Sequence, residues 1–139
     1  MTFFLGSCHC QAIVYAYRTE QDPSQWTVRA CQCTFCRAHG ALTTSDPSAS
    51  IEFTARHADR LMRYRFGQGI TDFLLCSQCG VYIGAQIQTP RGTFGIINVN
   101  VLMPIPAGLS QPVPMEYGSE SKEQRIDRRE QRWSRASGP

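Results

Sequence analysis

Apolar and polar residues alternate over several short stretches of the chain, the period of two that a half-buried strand requires. Between Gln11 and Tyr17, Ile13, Tyr15 and Tyr17 fall on one face and Ala12, Val14 and Ala16 on the other; a polar turn follows from Thr19 to Gln25. Trp26–Ala30, Ile51–Thr54, Leu61–Phe66, Thr71–Leu75, Val81–Gln86 and Thr93–Val101 read as further strands. Asp46-Pro47, Gly67-Gln68-Gly69 and Pro90-Arg91-Gly92 supply turn chemistry between them. Short helices are expected at Thr34–His39 and Thr54–Arg60, neither long enough to carry the architecture. The pattern therefore predicts a mainly β fold with short helices only.

After Val101 the character changes. Met103–Tyr117 carries Pro104, Pro106, Pro112 and Pro114, which disfavour helix and central strand and suggest an extended strap. Ser119–Arg135 is charged and reads as one helix with Glu and Arg at i,i+4 spacing. The division expected is one folded domain over residues 1–115 and a charged tail over 116–139, solvated or weakly docked. Composition narrows the class: 139 residues suit one domain, and 42% hydrophobic against 18% charged residues excludes wholesale disorder. The formal charge of +3 is too mild to argue for nucleic acid, and Glu123, Asp127 and Glu130 interrupt the basic tail. No apolar run approaches the ~18 residues of a membrane span. Cys8 arrives too early to leave room for a secretory signal, so a cytoplasmic, reducing setting is expected.

Seven cysteines change the picture most. A closed set of disulfides would leave one thiol over, and the sulfurs instead cluster as Cys8-His9-Cys10, Cys31-Gln32-Cys33-Thr34-Phe35-Cys36 and Cys76-Ser77-Gln78-Cys79-Gly80. Cysteines at i,i+2 on a strand share a face, so Cys8 with Cys10 and Cys31 with Cys33 can each serve one ion. Cys76-x-x-Cys79-Gly80 is a knuckle that aims two thiolates inward. Seven ligands divide into four and three. Cys8, Cys10, Cys76 and Cys79 would close one tetrahedral structural zinc site, and Cys31, Cys33 and Cys36 would hold a second zinc with an open position. Three thiolates make that second ion a weak Lewis acid, which favours binding a thiol over activating water. The competing readings are buried free cysteines for the four, and for the trio a closed site completed by His9, His39 or His57.

These blocks, together with Gly6-Ser7 before the first, Arg37 and His39-Gly40-Ala41 after the second, and Tyr64-Arg65-Phe66-Gly67, resemble the glutathione-dependent formaldehyde-activating family. The wider group includes centromere protein V, and the resemblance runs from about Leu5 to Val99. It implies a zinc-stapled β-tent of small coiled antiparallel sheets and two zinc ions per chain, divided as above. It implies carbon–sulfur lyase chemistry joining formaldehyde to glutathione, with Cys31, Cys33 and Cys36 as the catalytic cluster. For an anionic thiol such as glutathione, Arg37 is the first candidate contact, with His39 beside it and Arg63 and Arg65 secondary. The chain departs from the family pattern at Gln11, where a glycine is common, at Leu74-Leu75, and in the tail. A non-enzymatic zinc module binding a protein or nucleic acid is the alternative. Methionine sulfoxide reduction ranks last, because no cysteine follows Cys79.

Overall fold

The alternation at Ile13, Tyr15 and Tyr17 is the buried face of a strand in the computed structural model, which describes residues 1–139. Eleven strands form one mixed sheet: β1 (Thr2–Ser7), β2 (Ile13–Thr19), β3 (Arg29–Cys31), β4 (Thr43–Thr44), β5 (Ser50–Ala55), β6 (Leu61–Tyr64), β7 (Asp72–Cys76), β8 (Tyr82–Thr89), β9 (Gly92–Asn98), β10 (Val113–Met115) and β11 (Ser134–Ser137). The α-helices are α1 (Thr34–His39) and α2 (Lys122–Arg132). A main path runs β1-β2-β5-β11-β9-β4-β3-β10, and β8, β7 and β6 extend from the other edge of β9. The fold is mainly β, as the pattern predicts. The pairing is not wholly antiparallel, however: β10 runs parallel to β3 and β11 parallel to β5.

The sheet buries both faces of its centre. On one face Ile13, Tyr15, Tyr17, Phe53, Leu74, Ile83 and Ile97 pack together with Trp26. Tyr15 meets Phe53 edge to face, with 6.2 Å between centroids, and its hydroxyl donates to the Asn98 carbonyl at 2.8 Å. On the other face Phe73, Leu75, Tyr82, Ile87, Phe94 and Ile96 pack with Cys36 and Trp133. A register shift between Leu74 and Leu75 sets Gly84 and Tyr82 opposite those two residues, which leaves Ile83 as the extra residue of a bulge. The bulge lets Ile83 enter the first core while Tyr82 and Ala85 enter the second.

Three expectations are corrected. Thr54–Arg60 is not a helix: Thr54 and Ala55 finish β5, and only Ala58–Arg60 makes a 3-10 turn. The Arg56 N–H donates to the Ala12 carbonyl at 2.7 Å, which holds the chain extended there. Second, β9 stops at Asn98, whose side chain accepts from the Asn100 N–H at 3.1 Å and starts another 3-10 turn. Third, the segment expected to be solvated or weakly docked enters the sheet. Ser134 is fully buried and Trp133 is 5% exposed, while β11 lies between β5 and β9. The strand holds its place by Ser134 Oγ donating to the Asp46 carbonyl at 2.8 Å and by Gln86 Nε2 donating to the Gly138 carbonyl at 2.7 Å.

Candidate metal centres and the cavity beside them

The first cysteine pair sits in the turn joining β1 to β2 rather than on a strand. Cys8 N–H donates to the Ile13 carbonyl at 2.9 Å and Gln11 N–H returns to the Cys8 carbonyl at 3.1 Å, so the loop folds back and both sulfurs face inward. Gln11 takes a left-handed conformation to close it, with φ 68°. Glycine carries no steric penalty there, which is a physical reason for the glycine expected at this position and makes Gln11 the strained alternative. The second pair lies where β7 ends. Cys79 N–H points at Cys76 Sγ (3.5 Å), Gly80 N–H bonds the Cys76 carbonyl (2.8 Å), and Gly80 supplies the φ of 78° that the knuckle needs.

The four sulfurs of Cys8, Cys10, Cys76 and Cys79 lie within 4.8 Å of one another. Cys8 and Cys10 are 3.8 Å apart, and Cys10 and Cys76 are 3.5 Å apart. Tetrahedral ligation at ~2.3 Å per sulfur gives an edge of ~3.8 Å, so the donor set and its spacing fit zinc without rearrangement. Burial pushes the Cys8 thiol up to about 12, and the neighbouring thiols act in the same direction. Burial also opposes ionisation of Cys79, but N–H donors at Cys10 and Val81 and the Cys76 and Cys8 thiols bring it down to about 6. Buried in this way, the cluster gains by exchanging its protons for one divalent cation.

Cys31, Cys33 and Cys36 also bring their sulfurs within 4.8 Å, and no histidine or carboxylate joins them. Cys31 ends β3, Cys33 caps α1 by accepting from the Cys36 N–H at 3.4 Å, and Cys36 is buried one turn into the helix. A cap and a helical turn, rather than strand alternation, therefore gather this trio. Gly40, with φ 59°, ends α1. A hydrogen bond from Cys36 favours the Cys31 thiolate, with help from Cys33 and the positive charge of Arg128, and brings it down to about 5. The same pairing raises Cys36, as does its burial.

The trio opens into a cavity of about 200 Å³. Phe66, Phe73, Ile96 and Trp133 supply apolar walls, and Arg29, Arg125, Arg128 and Arg129 bring guanidinium groups. Glu120 holds two of these, accepting from Arg128 Nε at 2.8 Å and Arg125 Nε at 3.3 Å, while Arg128 stacks on the Tyr117 ring at 3.7 Å. The side chains anticipated from sequence lie elsewhere. Arg37 is exposed and outside the cavity wall, and the His39 ring packs on Phe35 and Tyr82 at 4.6 and 5.6 Å. Arg63 and Arg65 both pair with Asp72, at 3.4 and 2.6 Å. A charged stretch reads as solvated, which hides the cavity arginines of α2 in the sequence. Their signal was the i,i+4 run Arg125, Arg129, Trp133, which puts the aromatic on the same helical face as two guanidiniums.

No curated protein matches the chain. A crystal structure of a Rhodobacter sphaeroides protein is similar over 81% of this chain and 99% of its own, at 25% identity and a TM-score of 0.56. No helix is long and apolar enough to cross a membrane. Residues 3–113, which carry all seven cysteines, match the model of the glutathione-dependent formaldehyde-activating enzyme, and the chain belongs to that family.

Proposed function

We propose that the chain is a zinc-dependent carbon–sulfur lyase that joins a thiol such as glutathione to a small aldehyde such as formaldehyde. Cys8, Cys10, Cys76 and Cys79 would hold a structural zinc, and Cys31, Cys33 and Cys36 a second zinc with one position free. One observation carries the reading: three sulfurs within 4.8 Å of one another, with no fourth protein ligand, form part of the wall of a cavity. When bound there, zinc supplies a site at which a thiol is held as its thiolate at neutral pH.

The chain's own groups provide the rest. Arg128 adds positive charge near Cys31, which favours an anionic sulfur in the cavity. Phe66, Phe73 and Ile96 limit water around a small carbonyl compound and hold it against that sulfur, so that proximity supplies much of the gain in rate. The substrate sulfur forms a bond to the carbonyl carbon, and the carbonyl π pair moves to oxygen. That oxygen then takes up the proton the thiol gave up, yielding an S-hydroxymethyl adduct without oxidant or reductant.

The alternative of a nucleic-acid module loses its main support, because the tail's arginines Arg125, Arg128 and Arg129 turn toward the cavity. The test is a metal count together with NMR exchange spectroscopy of glutathione and formaldehyde under catalytic amounts of protein. Wild type should carry two zinc ions and speed exchange. Cys31→Ala should retain one ion and its fold while losing the acceleration. Full metal content with full turnover in that variant would refute the assignment of the trio.

A further inference from the structure

Two of the cavity arginines lack a carboxylate partner. Arg29 and Arg129 are 8% and 9% exposed, and neither takes part in an ion pair. Arg29 Nη2 donates only to the Ser45 hydroxyl and Arg129 Nη1 only to the Thr71 hydroxyl. Arg129 Nε is buried without any partner, and its guanidinium lies over the Trp133 ring at 4.5 Å. Neither nearby acid pairs with them: Glu120 is taken by Arg125 and Arg128, and Glu116, exposed on the cavity wall, accepts from the Gly118 N–H at 3.2 Å and forms no ion pair. Burying a guanidinium against neutral groups is costly, and an arginine remains charged, so arginines placed in this way on the wall of a cavity favour an anion within it.

We propose that Arg129, with Arg29, is the specificity-determining group of the cavity, the one that meets a carboxylate of the thiol substrate. Arg129 stands on α2, beyond the family-matched residues 3–113, and Arg29 on β3 within them. This rests on the thiol-binding reading of the trio and specifies which thiols it accepts. Arg129 Nε is sealed from the cavity and Nη1 is held by Thr71, so a carboxylate meets the guanidinium at Nη2, and the Trp133 ring on which the group lies fixes its plane. The Thr71 hydroxyl steadies the far side of the group. Arg37, being exposed and outside the cavity, has no part in it.

The test compares two thiols that differ only in the distal group, 3-mercaptopropionate and 3-mercapto-1-propanol. Each is titrated into cobalt-substituted protein, whose sulfur-to-metal absorption bands report coordination. Wild type should bind the acid about tenfold to hundredfold more tightly than the alcohol, the range of one buried charge-assisted contact. Arg129→Gln should bring that ratio close to one, and Arg29→Gln should lower it. Arg129→Lys should keep part of the preference, which separates loss of charge from loss of fold. Equal affinity for both thiols in wild type, or a ratio unchanged in both glutamine variants, would overturn the carboxylate site while leaving the thiol reading intact. Binding of neither thiol would overturn the thiol reading and this proposal with it.

Discussion

Gln11 holds a left-handed backbone conformation in the loop that presents Cys8 and Cys10. An L side chain there costs ~1–2 kcal/mol, whereas glycine adopts the same conformation freely and loses somewhat more entropy on folding. Gln11→Gly should therefore stabilise the protein by about 0.5–1 kcal/mol, raising the melting temperature without altering metal content. A lowered melting temperature would mean that the side chain contributes packing that outweighs the strain. Gly6, in β1 just before this loop, has no such freedom to change. A Cβ at this position would run into the ring of Tyr15, whose hydroxyl is already committed to Asn98.

At the scale of elements, α2 shows how a charged helix becomes a wall of a cavity. Ser121 caps it by accepting from the Gln124 N–H at 3.1 Å, and Gln124 Oε1 reciprocates on the Ser121 N–H at 2.8 Å. Glu120 then binds Arg128 and Arg125 across the first turns. The hydrogen bond from Arg128 holds the Glu120 carboxyl below its ordinary 4.5. A carboxyl depressed in the folded state stabilises it above the unfolded pKa, and that contribution fades as pH falls through the folded value. Wild type should thus exceed Glu120→Gln by about 1 kcal/mol at neutral pH, with the gap closing in acid below 4.5, as read from melting curves over that range. A gap that does not vary with pH would point to packing instead of charge. Trp133 anchors the other end of the helix, buried between Arg129 and the second core. Trp133→Ala should cost ~3–5 kcal/mol by chemical denaturation.

What the sequence disclosed at this scale followed periodicity. Ile13, Tyr15 and Tyr17 announced β2, and Thr34–His39 announced α1 to the residue. Elements set by partners rather than composition stayed hidden. Ser134-Arg-Ala-Ser137 has no β-branched residue and becomes a strand because β5 and β9 present free edges to it. Thr43–Thr44 is too short to show a pattern. For the site, cysteine spacing revealed both clusters, whereas the arginines of the cavity were concealed by the rule that charge seeks water.

For the whole molecule, the four-cysteine cluster ties the β1–β2 turn to the end of β7, joining residues as far apart as Cys10 and Cys76. A structural zinc contributes ~10–16 kcal/mol of apparent binding energy, as much as the stability of an entire domain. Stripping zinc with a strong chelator should therefore unfold the wild type, as followed by circular dichroism. Cys31→Ala, with the four-cysteine cluster intact, should be just as sensitive if the proposed closed site and not the open one holds the fold. Persistence of native signal after complete metal removal would show that the two cores suffice alone.

The placement of β11 also bears on how the chain is made. Ile51 of β5 pairs with Ala136, about 85 residues downstream, so at ~5–20 residues per second the ribosome delivers that partner roughly 4–17 s later. Throughout that interval β5 has an unpaired edge on a growing polypeptide, a surface on which neighbouring nascent chains can add strands. Slow translation of the stretch before Ser134 would lengthen the exposure, and a holdase acting on emerging chains would shorten its consequences.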